Sequence, residues 1–407
     1  MGLIAKPILL AVLVLLYGIS AWTPVRPPSL PVPINNELVW NSLAGLVMAF
    51  ATSWFVCWLI IRYEDMHSHF SHDQVGSGPQ KFHGVSTARI GGVAIVAGLL
   101  AGGSVLFALL PQISLRDHGN LILASMPAFL AGLVEDVTKQ VGVTERLLST
   151  MISAVIGILL LGALLVRLDL PFVDAAMQWV PLAALVTMVA VGGVANAINI
   201  IDGYNGLAGG LTLIILSAIA WVAFQVGDFL VLSSTFTIAG GIAGFMLWNW
   251  PGGKIFLGDG GAYLLGFLLA ELSVLLVTRN PTVSAWFPML ILIHPIVETL
   301  FSIYRRKWLR GHTPGRPDAL HLHQLIYSRA VRIGFSIDSA DKKLIRNSLV
   351  APYFWLATAA TGLLGIVFYS NTIALFLLST AYVAFYILTY HLISIWRTPR
   401  WLMRRLN

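Results

Sequence analysis

Leu207–Val226 reads LAGGLTLIILSAIAWVAFQV, 20 residues without one charged side chain. As a helix it is about 30 Å long, the thickness of a bilayer's hydrocarbon core. Nothing in it alternates as the strands of an outer-membrane barrel would. Comparable apolar runs recur near 3–22, 43–61, 90–110, 119–135, 148–166, 181–199, 229–248, 260–278, 285–303, 351–369 and 373–395, bounded by Pro, Gly and charge clusters. The pattern predicts an all-α polytopic membrane bundle of about 11–12 transmembrane helices. Composition agrees: the 407 residues are 57% hydrophobic and 11% charged, whereas about a quarter of a soluble chain is charged. Disordered, collagenous and nucleic-acid-binding folds are excluded. The first run, with Lys6, is long and has no small-x-small cleavage site after it, so it reads as a retained helix. No internal repeat is visible, and 1–407 reads as a single membrane domain whose longest polar stretch, 304–350, is a loop between helices. The one cysteine, Cys57, lies in an apolar run and allows neither an intramolecular disulfide nor a thiolate metal cluster.

Basic residues orient the bundle. With both termini inside, only Arg26, Arg116, Arg167 and Arg279 of the 25 Lys and Arg fall outside. The positive-inside rule then places 304–350 and the basic tail in the cytoplasm. The outside connections are short or Pro-rich, while every chemically capable cluster falls on the inside face. Among them, Asn196, Asn199 and Asp202 recur every three residues at the end of one run and share a helical face. Gly203 and Gly206 follow, with Asn205 between, and are expected to leave backbone amides near the next helix start, where an anionic phosphate would bind. Phe256-Leu257-Gly258-Asp259-Gly260-Gly261 sets one carboxylate in a glycine-rich turn opening a helix. Such a carboxylate suits Mg²⁺ when substrate phosphates supply the other oxygens. Glu135-Asp136 is an adjacent pair that repels unless a cation or proton relieves it, so that one carboxylate would bind metal while the other accepts a proton. Lys81 and His83 give basic groups ahead of the third run. Arg316, His321 and His323 in the long loop suit a pyrophosphate; on a regular helix the two histidines would point about 200° apart, so both reach one ligand only if the loop bends. Glu298 and Glu271 lie within apolar runs, Glu298 near the inside end.

Together and in this order, the Lys81/His83 loop, the acidic pair, Asn196 to Leu207, Gly258-Asp259 and Pro317-Asp318-Ala319-Leu320-His321-Leu322-His323 resemble the polyprenyl-phosphate N-acetylhexosamine-1-phosphate transferases. The likeness spans roughly residues 43–326. It implies a multi-pass enzyme of the bacterial inner membrane with a Mg²⁺-dependent site at the cytoplasmic face. Its substrates would be a UDP-N-acetylhexosamine and a polyprenyl phosphate such as undecaprenyl phosphate, its products UMP and a lipid-linked sugar diphosphate for cell-envelope polysaccharide, and its assembly a homodimer. In the same terms Asp259 is the metal ligand, Asp202 and Asn199 are polar groups near nucleotide and metal, Lys81 contacts the nucleotide, and Phe256 lies beside the uracil. The chain departs from the family's pattern at Glu135, where Asp is usual, and at Asn205, Ala262 and Gln324. Glu135 is taken as the base on the lipid-phosphate side, Asp136 as its electrostatic partner, and His321 and His323, with Arg316, as contacts to the donor diphosphate.

The rival reading is a twelve-helix secondary transporter. Transporters gather polar groups at the membrane midplane in broken helices of repeated halves, whereas here they gather at one face.

Overall fold

The computed structural model describes residues 35–65, 87–110, 115–309, 320–331 and 347–395, and the regular elements there are helices. Among the described residues, 10 helices are long and apolar enough to cross a bilayer. They are α1 (Asn36–Arg62), α2 (Gly91–Leu109), α3 (Leu115–Thr138), α4 (Val143–Leu161), α6 (Val180–Ile201), α7 (Leu207–Val226), α8 (Phe229–Asn249), α9 (Gly258–Arg279), α13 (Ala351–Phe368) and α14 (Thr372–Ile395). Four shorter α-helices lie among them: α5 (Pro171–Met177), α10 (Trp286–Ile291), α11 (Ile293–Tyr304) and α12 (Leu322–Ile326). The protein is a multi-pass, all-α membrane bundle. The expected first span, 3–22, lies outside the described residues.

Two boundaries differ from the sequence expectation. Helix α4 starts at Val143 instead of 148, so Glu145 and Arg146, expected in a loop, are helical. The run 285–303, expected as one span, breaks at Leu292 into α10 and α11. Pro295 is the cause: it has no N–H for the Ile291 carbonyl, and its ring crowds that oxygen.

Helix α9 is the axis of the bundle and is buried throughout its apolar span. It packs most extensively on α3 and α6 and also touches α2, α4 and α7. Backbone-to-backbone approach makes this dense packing feasible: a Cβ at Gly132 of α3 would lie 2.6 Å from the Asp259 main chain. Small residues serve this purpose in membranes, where helices associate by close packing. The outermost helices α1 and α14 present large apolar side chains such as Trp40 and Leu377 outward.

The C-terminal end of α9, opposite its glycine-rich start, is pinned by polar contacts where the sequence reading expected only short connections. Arg279 Nε and Asn280 Nδ2 both donate to Asp228 Oδ2, at 2.7 and 2.9 Å. Arg167 donates to the carbonyls of Val277 and Val283, and Asp169 accepts from Ser284 Oγ and the Ala285 amide at 2.7 Å each. Midway along α9, Glu271 has the opposite condition. It is fully buried against Gly157 of α4, and among the described residues neither carboxylate oxygen has a hydrogen-bond partner.

These two buried carboxylates should respond oppositely to removal. Asp228→Ala removes the buried carboxylate that Arg279 and Asn280 share and should cost about 3–5 kcal/mol. Glu271→Met replaces an unsatisfied polar group by an apolar one of similar shape and should leave stability unchanged or raise it. Thermal unfolding in detergent measures both; a lowered midpoint for Glu271→Met would show that its carboxylate has a partner after all.

Candidate active site

The site begins with how α9 starts. Gly258 takes φ +77°, a left-handed conformation, and a side chain there would collide with the Arg89 carbonyl. Phe256, half-buried, is held from both sides: its N–H donates to the Ala88 carbonyl and its own carbonyl accepts from Gly91. The exposed first amides of α9 are then taken by Asp136, whose Oδ1 accepts from Asp259 N and whose Oδ2 accepts from Gly260 N, both at 2.9 Å. A carboxylate on the positive end of a helix is favourably placed for charge and for hydrogen bonding.

The adjacent carboxylates turn to different partners. They lie in the last turn of α3, not in a loop, and neighbouring residues on a helix diverge by about 100°. Asp136 turns to α9, while Glu135 Oε2 accepts the Val141 amide at 2.7 Å and ties the α3–α4 connection.

Asp259, in the first turn of α9, is where the site's charges meet. Asn199 Nδ2 donates to its Oδ1 at 3.1 Å, Arg89 approaches the same oxygen at 3.5 Å, and Arg146 pairs with Oδ2. Arg89 also lies 3.9 Å from Asp136 Oδ1. Tyr263, one turn along α9, donates to Asn196 Oδ1 at 3.2 Å, and the Arg146 guanidinium stands over its ring. The three-residue spacing therefore does present Asn196 and Asn199 to α9. Asp202 closes α6 as its C-cap; desolvation by the surrounding protein raises its carboxyl to about 7, Arg89 opposing and Asp136 adding to the shift. Among the described residues no three His, Cys, Asp or Glu form a metal cage. Mg²⁺ does not require one, since one or two carboxylates with phosphate oxygens suffice, and the Asp259 carboxylate beside the Asn199 amide fits that donor set.

A second group adjoins the first through Gly203. His321 is extended (φ −66°, ψ 151°) and precedes α12, which carries His323. The bend brings the two rings into a stack with centroids 5.3 Å apart. His321 Nδ1 lies 2.9 Å from Glu298 Oε1, and its Nε2 lies 2.9 Å from an Arg306 nitrogen. Because Arg can only donate, these partners assign the proton to Nδ1 and leave Nε2 as acceptor. Glu298 also accepts from the Leu322 amide and from Tyr386 Oη at 3.0 Å, so one buried carboxylate on α11 fixes the histidine segment. His323 lies edge-on to Tyr204, with Nε2 facing Gly203. Burial holds its imidazole low, at about 3, and hence neutral.

Other expectations changed. The turn after Asp202 is not an open phosphate cradle: the amides of Asn205, Gly206 and Leu207 are bonded to Asn347, Asn249 and Tyr204. Asn205, expected as a substrate contact, is buried with its side-chain amide on the Pro251 carbonyl at 3.3 Å, in support of that turn. Lys81, His83 and Arg316 lie outside the described residues. Arg89 belongs to the basic groups expected ahead of the third run and Arg306 to the basic segment of the long loop, whereas nothing in the sequence gives Arg146 or Tyr263 a site role.

A helix start whose carboxylate is met by two guanidiniums and a carboxamide, at the end of an apolar bundle, makes this a membrane protein with one concentrated polar site. The profile of glycosyl transferase family 4 matches residues 119–277. A probable undecaprenyl-phosphate N-acetylglucosaminyl 1-phosphate transferase of Bacillus subtilis is 32% identical over 249 residues, 60% of this chain and 66% of that protein, just under two thirds of its length. A phospho-N-acetylmuramoyl-pentapeptide-transferase of Lactobacillus johnsonii is 30% identical, covering 53% of this chain and 68% of the relative. A decaprenyl-phosphate N-acetylglucosaminephosphotransferase of Mycolicibacterium smegmatis is 27% identical across 83% and 84%. The chain belongs to glycosyl transferase family 4.

If Asp136 is the anchor of α9, Asp136→Ala should lower the unfolding midpoint in detergent, by the equivalent of about 1–3 kcal/mol for stranded amides, as well as activity. Lost activity with an unchanged midpoint would contradict the anchoring role.

Proposed function

We propose that the protein transfers an N-acetylhexosamine 1-phosphate from a UDP-sugar to a polyprenyl phosphate, releasing UMP and leaving a lipid-linked sugar diphosphate. The observation that carries this reading is a junction. The Asp259 cluster opens through Asn196 into an apolar groove of about 520 Å³ between α4, α6, α9, α10 and α11. A ligand with a phosphate head and a long hydrocarbon tail matches both halves, and the relatives' names include polyprenyl phosphates.

In this reading the lipid phosphate sits by Asn196 and Asn199 with its tail in the groove, and the nucleotide diphosphate enters from the water side between Arg89, Arg146 and the histidine segment. A lipid phosphate oxygen attacks the phosphorus that carries the sugar. The bond from that phosphorus to the bridging oxygen breaks, and the electron pair leaves with UMP. Mg²⁺, held by Asp259 and the substrate phosphates, would neutralise charge on the diphosphate. Arg89 and Arg146 now compensate Asp259 and turn to phosphate oxygens when substrate arrives. His321, oriented by Glu298, contacts the donor diphosphate. A lipid phosphate is already largely ionised near neutral pH, so positioning outweighs proton removal; Glu135, tied to Val141, is the proposed base only to the extent that a proton remains. The site faces the cytoplasm of a bacterial inner membrane, because the basic residues collect at this end of the bundle.

The assay is UMP release by purified protein from a panel of UDP-N-acetylhexosamines with undecaprenyl phosphate and Mg²⁺. Asp259→Asn should reduce turnover about a hundredfold or more in a protein that still folds, even where loss of the partner of Arg89 and Arg146 lowers the unfolding midpoint. Full Mg²⁺-dependent turnover by that variant would remove the metal assignment, and transport of intact substrate without UMP release would favour the transporter. For orientation, Lys139→Cys in a Cys57→Ala background should resist an impermeant maleimide in intact cells and react after lysis. Labelling of intact cells would place the site on the other face.

A further inference from the structure

The apolar lining of the groove ends at a polar latch. The lining follows α10 and α11 from Ile303 to Ala285 and includes Asn196 of the polar site. At 1.5 Å per residue a straight helix over this stretch would measure about 27 Å, an upper bound because the run breaks at Leu292. Past Ala285 and Leu168 the apolar lining stops. Asp169 there accepts the Ala285 amide and the Ser284 hydroxyl, and Arg167 fills the carbonyls of Val277 and Val283. Parting these groups to pass a hydrocarbon would leave polar atoms without partners, at about 1–3 kcal/mol each.

An isoprene unit adds four chain bonds and, with carbon–carbon bonds near 1.5 Å, about 5 Å when extended. The groove length therefore corresponds to at most about five units. Volume gives an independent figure. Benzene, with six carbons, occupies an engineered cavity of about 150 Å³, so a five-carbon unit needs about 125 Å³. The groove's 520 Å³ then holds about four units. Length and volume agree within one unit.

Resting on the acceptor assignment above, we propose that the protein reads its lipid acceptor over only about the first four to five isoprene units, and that the latch of Arg167, Asp169 and Ser284 sets this limit. The remainder of a longer chain leaves the groove sideways into the bilayer. Units inside exchange lipid contacts for shaped protein walls, whereas units beyond exchange lipid for lipid and add nothing to recognition. Ala190 of α6 faces the groove about 9 Å from Asn196 by helix rise, so it lies at the depth of about the second unit.

The test is a series of polyprenyl phosphates from about two to about eleven units. Each KM is measured as a surface mole fraction in one detergent, with UMP release as readout, so that bulk partitioning is held constant. KM should fall severalfold up to about four or five units and change less than about twofold beyond. In Ala190→Trp, which fills the groove about a third of the way along, the break should move to about two units. A KM that keeps falling to the longest acceptor, one already flat at the shortest, or a break unmoved in a folded Ala190→Trp protein would overturn the proposal while leaving the transferase reading intact. Absence of UMP release with every acceptor and UDP-sugar would remove that reading, and this inference with it.

Discussion

The two oxygens of Asp136 on the first amides of α9 are the contact on which the site depends. Helix α9 has no lipid-facing surface, so its start lies inside protein, where amides without partners are costly. Asp136 satisfies two of them from α3, and in doing so sets the height and rotation at which Asp259 emerges. Asn199 from α6, Arg146 from α4 and Arg89 from the segment before α2 then converge on that carboxylate. Four separate parts of the chain are thereby brought to one point. The left-handed turn at Gly258 is what lets the backbone enter the helix so close to the Arg89 carbonyl.

At the other end of α9 the bundle uses polarity for closure instead of chemistry. Asp228 joins Arg279 and Asn280, and Arg167 and Asp169 bind the connection from α9 to α10. One buried helix thus carries a charged start and a hydrogen-bonded polar end, with an apolar groove running alongside. This polarity of the bundle, not the number of its helices, separates it from a transporter, whose polar groups would line a path through the midplane.

Most of the bundle was legible because apolar runs of bilayer length have few alternative folds. The errors fell where polar residues are helical for a tertiary reason. Glu145 and Arg146 look like loop until Arg146 is seen to reach Asp259, and Pro295 breaks a run that hydropathy alone joins. In the site, the three-residue spacing of Asn196 and Asn199 was readable because a helix face follows from sequence. The parting of Glu135 from Asp136 was not, since it turns on whether α3 continues for one more turn. Nor was the occupation of the turn at Gly206, whose amide is taken by Asn249, a residue 43 positions away. Glu298 was visible as an intramembrane carboxylate, but its partners His321 and Tyr386 come from segments whose meeting no local pattern encodes.

The central claim is that phosphorylated ligands meet at Asp259, at the cytoplasmic mouth of the groove. Electron cryomicroscopy of the protein in nanodiscs with Mg²⁺, UDP and a polyprenyl phosphate tests it directly. The account predicts diphosphate density bounded by Arg89, Arg146 and His321, an ion at Asp259, and hydrocarbon density entering the groove past Asn196. Diphosphate density elsewhere, with the Arg146–Asp259 pair intact and the groove filled only by bulk lipid, would contradict it.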